Sequence, residues 1–120
     1  MIKRIGAGPR MSSAVVHGNT VYLAGQVSNS DAGPDVHLQT MQTLATIDQL
    51  LAAAGTDKTQ LLSATIWLTD MDSFADMNRA WDAWVAPGCT PARATVQSAK
   101  LAAQQYKVEI GVIAALPVDA

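Results

Sequence analysis

Two ionisable side chains of this chain sit where their chemistry could be used, Arg93 in TPARATVQSAKL (Thr90 to Leu101) and Glu109 in YKVEIGVIAAL. Written as strands whose side chains alternate between faces, the first segment places Ala92, Ala94 and Val96 on one side and Arg93, Thr95 and Gln97 on the other. The second places Glu109 opposite Val108 and Ile110. If the small and apolar positions face a core, both charges belong to the uncovered face of a sheet. A hairpin between these strands, its loop centred near Leu101, would set Arg93 across from Glu109. A guanidinium stays charged at any working pH and offers a planar fork that holds a carboxylate bidentately. A neighbouring carboxylate can orient or activate a water. The same spacing also describes a cross-strand ion pair that merely decorates a sheet.

Other reactive side chains are sparse. Cys89 is the single cysteine, which excludes an intrachain disulfide framework and a cysteine-based zinc cluster and fits a reducing, cytoplasmic setting. It has no basic neighbour before Arg93 and reads as an ordinary thiol. His17 and His37 are far apart and read as surface or turn residues. Gly6-Ala7-Gly8 lacks the strand-then-helix context of a phosphate loop. The formal charge is −2 and the eight Lys and Arg residues are scattered, so no stripe fits a nucleic-acid backbone. No apolar run approaches the roughly 20 residues of a membrane span, and MIKRIGAGPRMSS has no continuous apolar core of a secretory signal. With 49% apolar and only 15% charged residues, few charges cover the outside, which favours an oligomer.

The elements that must position Arg93 and Glu109 follow from periodicity. Ala14 to His17 and Thr20 to Ala24, joined by Gly18-Asn19, predict a tight hairpin, with Gly25-Gln26-Val27 continuing its second strand. SNSDAGP (Ser28 to Pro34) predicts a loop. From Val36 to Ala54, Met41, Leu44, Ala45, Ile47, Leu51 and Ala54 recur at helical spacing with Gln39, Gln42, Thr43 and Gln49 between them. Asp35 is placed to cap this helix and Gly55 to end it. Leu61 to Thr69 predicts a strand. Asp72 or Ser73 caps a second helix, Phe74 to Val85, with Phe74, Met77, Ala80 or Trp81, and Trp84 as its apolar stripe. Strands Ala92 to Ala99 and Gln105 to Ala115 complete the order ββαβαββ. The expected fold is α+β, one domain over residues 1–120, with two helices on one face of a mixed sheet.

PARATVQSAKL and YKVEIGVIAAL, with GNTVYLAGQV, QTLATIDQLLAAAG and ATIWLTDMDSFADMNRAWDAW, resemble the reactive intermediate deaminase family, also called Rid or YjgF, in order from about Val15 to the end. The Pro-x-Arg with a later Val-Glu-Ile is the most specific part. The Trp-Asp-Ala-Trp helix is similar to a bacterial branch other than the archetypal deaminase. The resemblance implies a chorismate-mutase-like, ferredoxin-like fold in a homotrimer whose sheets line a central barrel, with one cleft at each subunit interface. It further implies hydrolysis of reactive 2-imino acids and their enamine tautomers, such as 2-iminopropanoate and 2-iminobutanoate, to 2-oxo acids and ammonia. Those species leave pyridoxal-phosphate enzymes; the family reaction itself uses no cofactor and no metal. Carried over by motif, Arg93 anchors the substrate carboxylate and Glu109 holds or activates water. Gly25, Gln26, Asn78, Thr95 and Met11 fall at pocket positions, and Ser28 and Trp81 could line the cleft.

Three departures bear on substrate range and activity. Met11 stands where the archetypal deaminases have an aromatic residue, Thr95 where a cysteine is common, and the loop between Arg93 and Glu109 is a residue longer. They sustain an alternative, a non-catalytic trimer that binds a small carboxylate, a 2-oxo or amino acid, through the same arginine. A ribonuclease or translation-inhibitor activity is disfavoured by the missing basic stripe. Chorismate mutase shares the fold, but fold does not fix function.

Overall fold

A computed structural model describes residues 1–117. Strand β1 (Ile2–Ile5) precedes the expected hairpin of β2 (Ala14–His17) and β3 (Thr20–Leu23); helix α1 (Val36–Ala54), strand β4 (Leu61–Leu68), helix α2 (Phe74–Trp84), β5 (Ala92–Gln97) and β6 (Val108–Ala115) follow. The six strands form one sheet in the order β1-β2-β3-β6-β4-β5. β6 is antiparallel to both β3 and β4, so β3 and β4 run parallel with β6 inserted between them, and α1 is their crossover. β4 and β5 are parallel neighbours connected through α2. β1, which periodicity does not mark, pairs with β2 at the edge, where the adjacent Lys3 and Arg4 suit an exposed edge strand.

Local chemistry sets the helix ends as expected for α1. The Asp35 carboxylate accepts the Leu38 N–H at 3.3 Å, and Gly55 closes the helix at φ +91°, a conformation costly for a residue with a Cβ. Asp35→Ala is expected to lower unfolding free energy by about 1 kcal/mol in a denaturant titration, with the m-value unchanged. At α2, Ser73 occupies the N-cap position without a side-chain cap bond, while Asp70 caps the preceding 3-10 turn, Met71–Ser73. Asp57 caps a similar turn before β4, and the Thr59 hydroxyl and N–H that bond to it hold its carboxyl below the ordinary value.

The core lies between the helices and one side of the sheet: Leu44, Ile47 and Leu51 of α1, Met77 and Trp81 of α2, and Ala64, Ile66, Leu68, Val108, Ile110 and Val112 from β4 and β6. α1 is less simply amphipathic than expected. Met41 and Ala45 face solvent, while Gln39, Thr40 and Thr43 are buried. The threonines tolerate burial because their hydroxyls donate to carbonyls one turn back, Thr40 to Val36 at 2.7 Å and Thr43 to Gln39 at 2.8 Å. The opposite side of the sheet carries Ser63, Thr65, Trp67, Glu109, Gly111 and Ile113 and has no helix over it.

The hairpin expected between the last two strands does not form. β4 lies between β5 and β6, and residues 98–107 carry the chain across it. The faces of β5 are also reversed from the sequence expectation. Arg93 pairs with Ala64 and Thr95 with Ile66, both core residues, and directly paired residues share a face. Arg93 and Thr95 are therefore on the helix side, and Ala92, Ala94 and Val96 are on the open side beside Ser63, Thr65 and Trp67. Small apolar residues suit a core by pattern, but here they line the open face, and α2 supplies aromatic rings for the guanidinium instead.

Candidate functional site

Arg93 leaves the edge strand β5 toward α2. Its guanidinium carbon lies 5.2 Å from the ring centroid of Trp81 and 5.8 Å from that of Phe74. Trp81 is buried and Phe74 partly exposed, so the cation rests on a platform with one fixed and one solvent-facing ring. Phe74, Asn78 and Trp81 follow one another at i, i+4 and i+7, which brings Asn78 into the same stripe. Stacking occupies the faces of a guanidinium and leaves its in-plane donors available. Among the described residues no carboxylate pairs with Arg93; the ion pair present, Arg79 with Asp76 at 3.7 Å, is on the outer surface. Thr95, two residues along the same face, has a buried hydroxyl with no hydrogen-bond partner among the described residues. Buried polar atoms are rarely left so.

Glu109 belongs to a second cluster, in the middle of the open face. It pairs with Trp67 across β4. Its carboxylate lies over Gly25: a Cβ on that glycine would be 2.1 Å from Glu109 Oε2 and 2.8 Å from its carboxyl carbon. The approach is made possible by a one-residue offset in β3. Tyr22 pairs with Ile113, but Gln26, not the next residue in that register, bridges to Ile110. Strand β3 thus ends at Leu23, and Gly25 sits at the irregularity. Gln26 spends its backbone on Ile110 (2.8 and 3.0 Å) and its side-chain amide on the Ala24 carbonyl, 3.0 Å away.

Within one chain the expected site is therefore divided. Arg93, Thr95 and Asn78 gather on the helix side at the β5 edge; Glu109, Gly25 and Gln26 gather on the open side. Arg93 and Glu109 lie on opposite faces, separated by β4 and offset from the level of Ala64 to that of Trp67. Met11, exposed in the segment between β1 and β2, belongs to the far end of a sheet roughly 24 Å wide at the usual strand spacing. Ser28 is buried with its hydroxyl on the Asn29 carbonyl, and Trp81 is both core and platform. Phe74 is the contact that sequence reading missed as a site residue, although its place in the stripe with Asn78 and Trp81 was visible. Two concavities, of about 590 Å³ beside Thr69, Tyr106 and Lys107 and about 240 Å³ between α1 and α2, include neither Arg93 nor Glu109. Among the described residues no three His, Cys, Asp or Glu side chains converge as metal ligands.

A six-strand mixed sheet with two helices on one face, one β-α-β crossover split by an inserted antiparallel strand, defines a chorismate-mutase-like α+β domain. The model of the family described as Endoribonuclease L-PSP matches residues 1–116. The RutC family protein YoaB of Escherichia coli is 50% identical over 115 residues, spanning 96% of this chain and 98% of that protein. A RutC family protein of Haemophilus ducreyi is 44% identical over 97% of each chain. The crystal structure of NMB1025, a YjgF-family protein from Neisseria meningitidis, matches with a TM-score of 0.94 at 42% identity, covering 99% of this chain and 98% of that one. The chain belongs to the YjgF/RutC family, also called Rid, with a likeness to YoaB along nearly its whole length. No helix among the described residues is long and apolar enough to cross a membrane.

Proposed function

We propose that the chain is a cytoplasmic homotrimeric hydrolase of 2-imino and enamine acids, with each site built across a subunit boundary. The observation that carries this reading is Arg93: half-buried, stacked on Phe74 and Trp81, and without a carboxylate partner among the described residues. Such a group is prepared for an external carboxylate. Glu109 of the same chain is on the other face of the sheet, so a carboxylate to handle water beside Arg93 comes from a neighbouring copy. Tyr22, Leu62 and Val96, each 44–51% exposed, give the oligomer an apolar surface to bury. At micromolar concentration, light scattering is expected to give three times the 12.6 kDa chain mass; a monomer would remove the interface site.

The chemistry asks for little beyond placement. An imine carbon next to a carboxylate is already electrophilic. Arg93 fixes the carboxylate, and Glu109 takes a proton from water as its oxygen bonds to that carbon. The nitrogen takes that proton, giving a carbinolamine; its hydroxyl proton then passes to the nitrogen through Glu109 as the C–N bond breaks, and ammonia and the 2-oxo acid leave. Orientation of substrate and water supplies most of the gain. The substrates are products of pyridoxal-phosphate enzymes that eliminate water from hydroxy-amino acids. A nucleic-acid substrate is disfavoured by the scattered basic residues.

The test generates the imine in situ with a dehydratase or amino-acid oxidase and traps survivors with semicarbazide. Wild-type protein is expected to deplete the trapped imine and Glu109→Ala to leave it while still binding a 2-oxo acid. No depletion by wild type across several precursors would overturn the hydrolase reading and leave a trimeric carboxylate-binding module.

A further inference from the structure

We infer that Gln39 is the positioning residue for Glu109, holding the start of β6 so that the carboxylate lies over Gly25; the inference rests on the hydrolase reading above. Gln39 is in the first turn of α1 and is 1% exposed. Its amide ties α1 to two other segments, the loop before the helix and the end of the 98–107 segment. Nε2 donates to the Gly33 carbonyl at 2.7 Å and to the Gln105 carbonyl at 2.9 Å, and Oε1 accepts the Lys107 N–H at 2.8 Å. Both donors and one acceptor are thereby used, a pattern that an amide of this length meets and neither Leu nor ionised Glu reproduces.

Lys107 is two residues before Glu109, where the 98–107 segment becomes β6. Its N–H is held by α1 through Gln39, and its carbonyl accepts at 3.1 Å from the N–H of Thr69, the residue just past β4. On the β4 side the ladder runs unbroken from Ser63–Ile113 to Leu68–Val108, whereas on the β3 side regular pairing stops at Tyr22–Ile113 and the offset Gln26–Ile110 bridge continues it, so the start of β6 is held by β4 on one flank alone. A slip of one residue would turn Glu109 from the open face to the core side. Gln39 resists that slip from the end of β6 nearest Glu109.

The comparison that isolates this role uses Gln39→Leu, which removes all three bonds, and Gln39→Glu, which keeps an acceptor for the Lys107 N–H. Thr56→Val is the control: it breaks a buried 2.6 Å bond to Ala115, at the other end of the same strand. Gln39→Leu is expected to lower kcat about 10²-fold while 2-oxobutyrate affinity, read by calorimetry, stays within about twofold. Gln39→Glu should recover part of kcat, and Thr56→Val should lose stability without losing kcat. The second readout does not depend on turnover: the NMR cross-peak between the Gly25 α-protons and the Glu109 γ-protons should weaken in Gln39→Leu and persist in Thr56→Val. An unchanged cross-peak in Gln39→Leu, or a kcat within about twofold of wild type, overturns the inference. If wild type turns over no imine, the hydrolase reading fails and the cross-peak alone decides the role of Gln39. Should Gln39→Leu not fold, Gln39→Glu carries both readouts, and a normal cross-peak with kcat no higher than that of Glu109→Ala would count against the role.

Discussion

Arg93→Ala is expected to lower kcat/KM for imine hydrolysis about 10²- to 10⁴-fold, the loss that follows from removing two charge-assisted hydrogen bonds to a substrate carboxylate at roughly 1.5–3 kcal/mol each. Binding of a 2-oxo acid should be lost in parallel, because the anchor acts on substrate and product alike. Fold stability should change little: β5 is an edge strand, Arg93 is only half-buried, and no carboxylate among the described residues is left unpaired. Arg93→Lys is not a conservative replacement here. An ammonium keeps the charge but loses the planar fork and the stacking on Phe74 and Trp81. Phe74→Leu probes the platform: Trp81 still supports the guanidinium, so KM should rise while kcat at saturation holds. Parallel steady-state kinetics and calorimetry check all three variants. An Arg93→Ala protein that still binds a 2-oxo acid with wild-type affinity would refute the anchor.

The parts of this fold that were legible in the sequence are those decided within a few residues. Asp35 and Gly55 bound α1 because a cap and a left-handed terminus are local chemistry. Gly18, at φ +60°, marks the β2–β3 turn for the same reason. The place of β5 is a matter of long-range pairing, and adjacency in sequence suggested a hairpin with β6. A contrary signal was present: β4 and β5 are joined by a helix, the connection parallel neighbours require. The face of Arg93 depended on that choice. Alternation fixes which residues share a side, but not which side meets the helices, and the small residues of β5 fit an apolar open face as well as a core. Gln39, Thr40 and Thr43 were hidden by the rule that polar residues face water; each is buried because its polar atoms find partners in the fold. The family motif thus named Arg93 and Glu109 as a pair, whereas the topology assigns them to opposite sides of one sheet and, under the proposed trimer, to different subunits at any one site.

Gly25→Ala is expected to abolish most turnover with the fold and carboxylate binding intact. The backbone at Gly25 is not in the left-handed region, so alanine is conformationally acceptable there. The obstacle is the Glu109 side chain: the new Cβ would meet Oε2 at 2.1 Å, the carboxyl carbon at 2.8 Å and Cγ at 3.1 Å. Because this is the free end of a flexible side chain at a half-buried position, Glu109 swings away rather than the sheet distorting. The carboxylate is then misplaced by more than 1 Å, a displacement that costs about 10²-fold in a reaction limited by orientation. Two neighbouring groups that act as a unit give non-additive losses. Glu109→Ala and Gly25→Ala should each lower kcat, and the double variant should be no slower than Glu109→Ala alone, since a methyl at position 25 has no carboxylate left to displace. A double variant slower than either single change would mean that Gly25 contributes something of its own, such as close backbone approach to the substrate. A Gly25→Ala protein with wild-type kcat would mean that the position of the carboxylate over Gly25 is irrelevant to turnover, and Glu109 would lose its role in handling water.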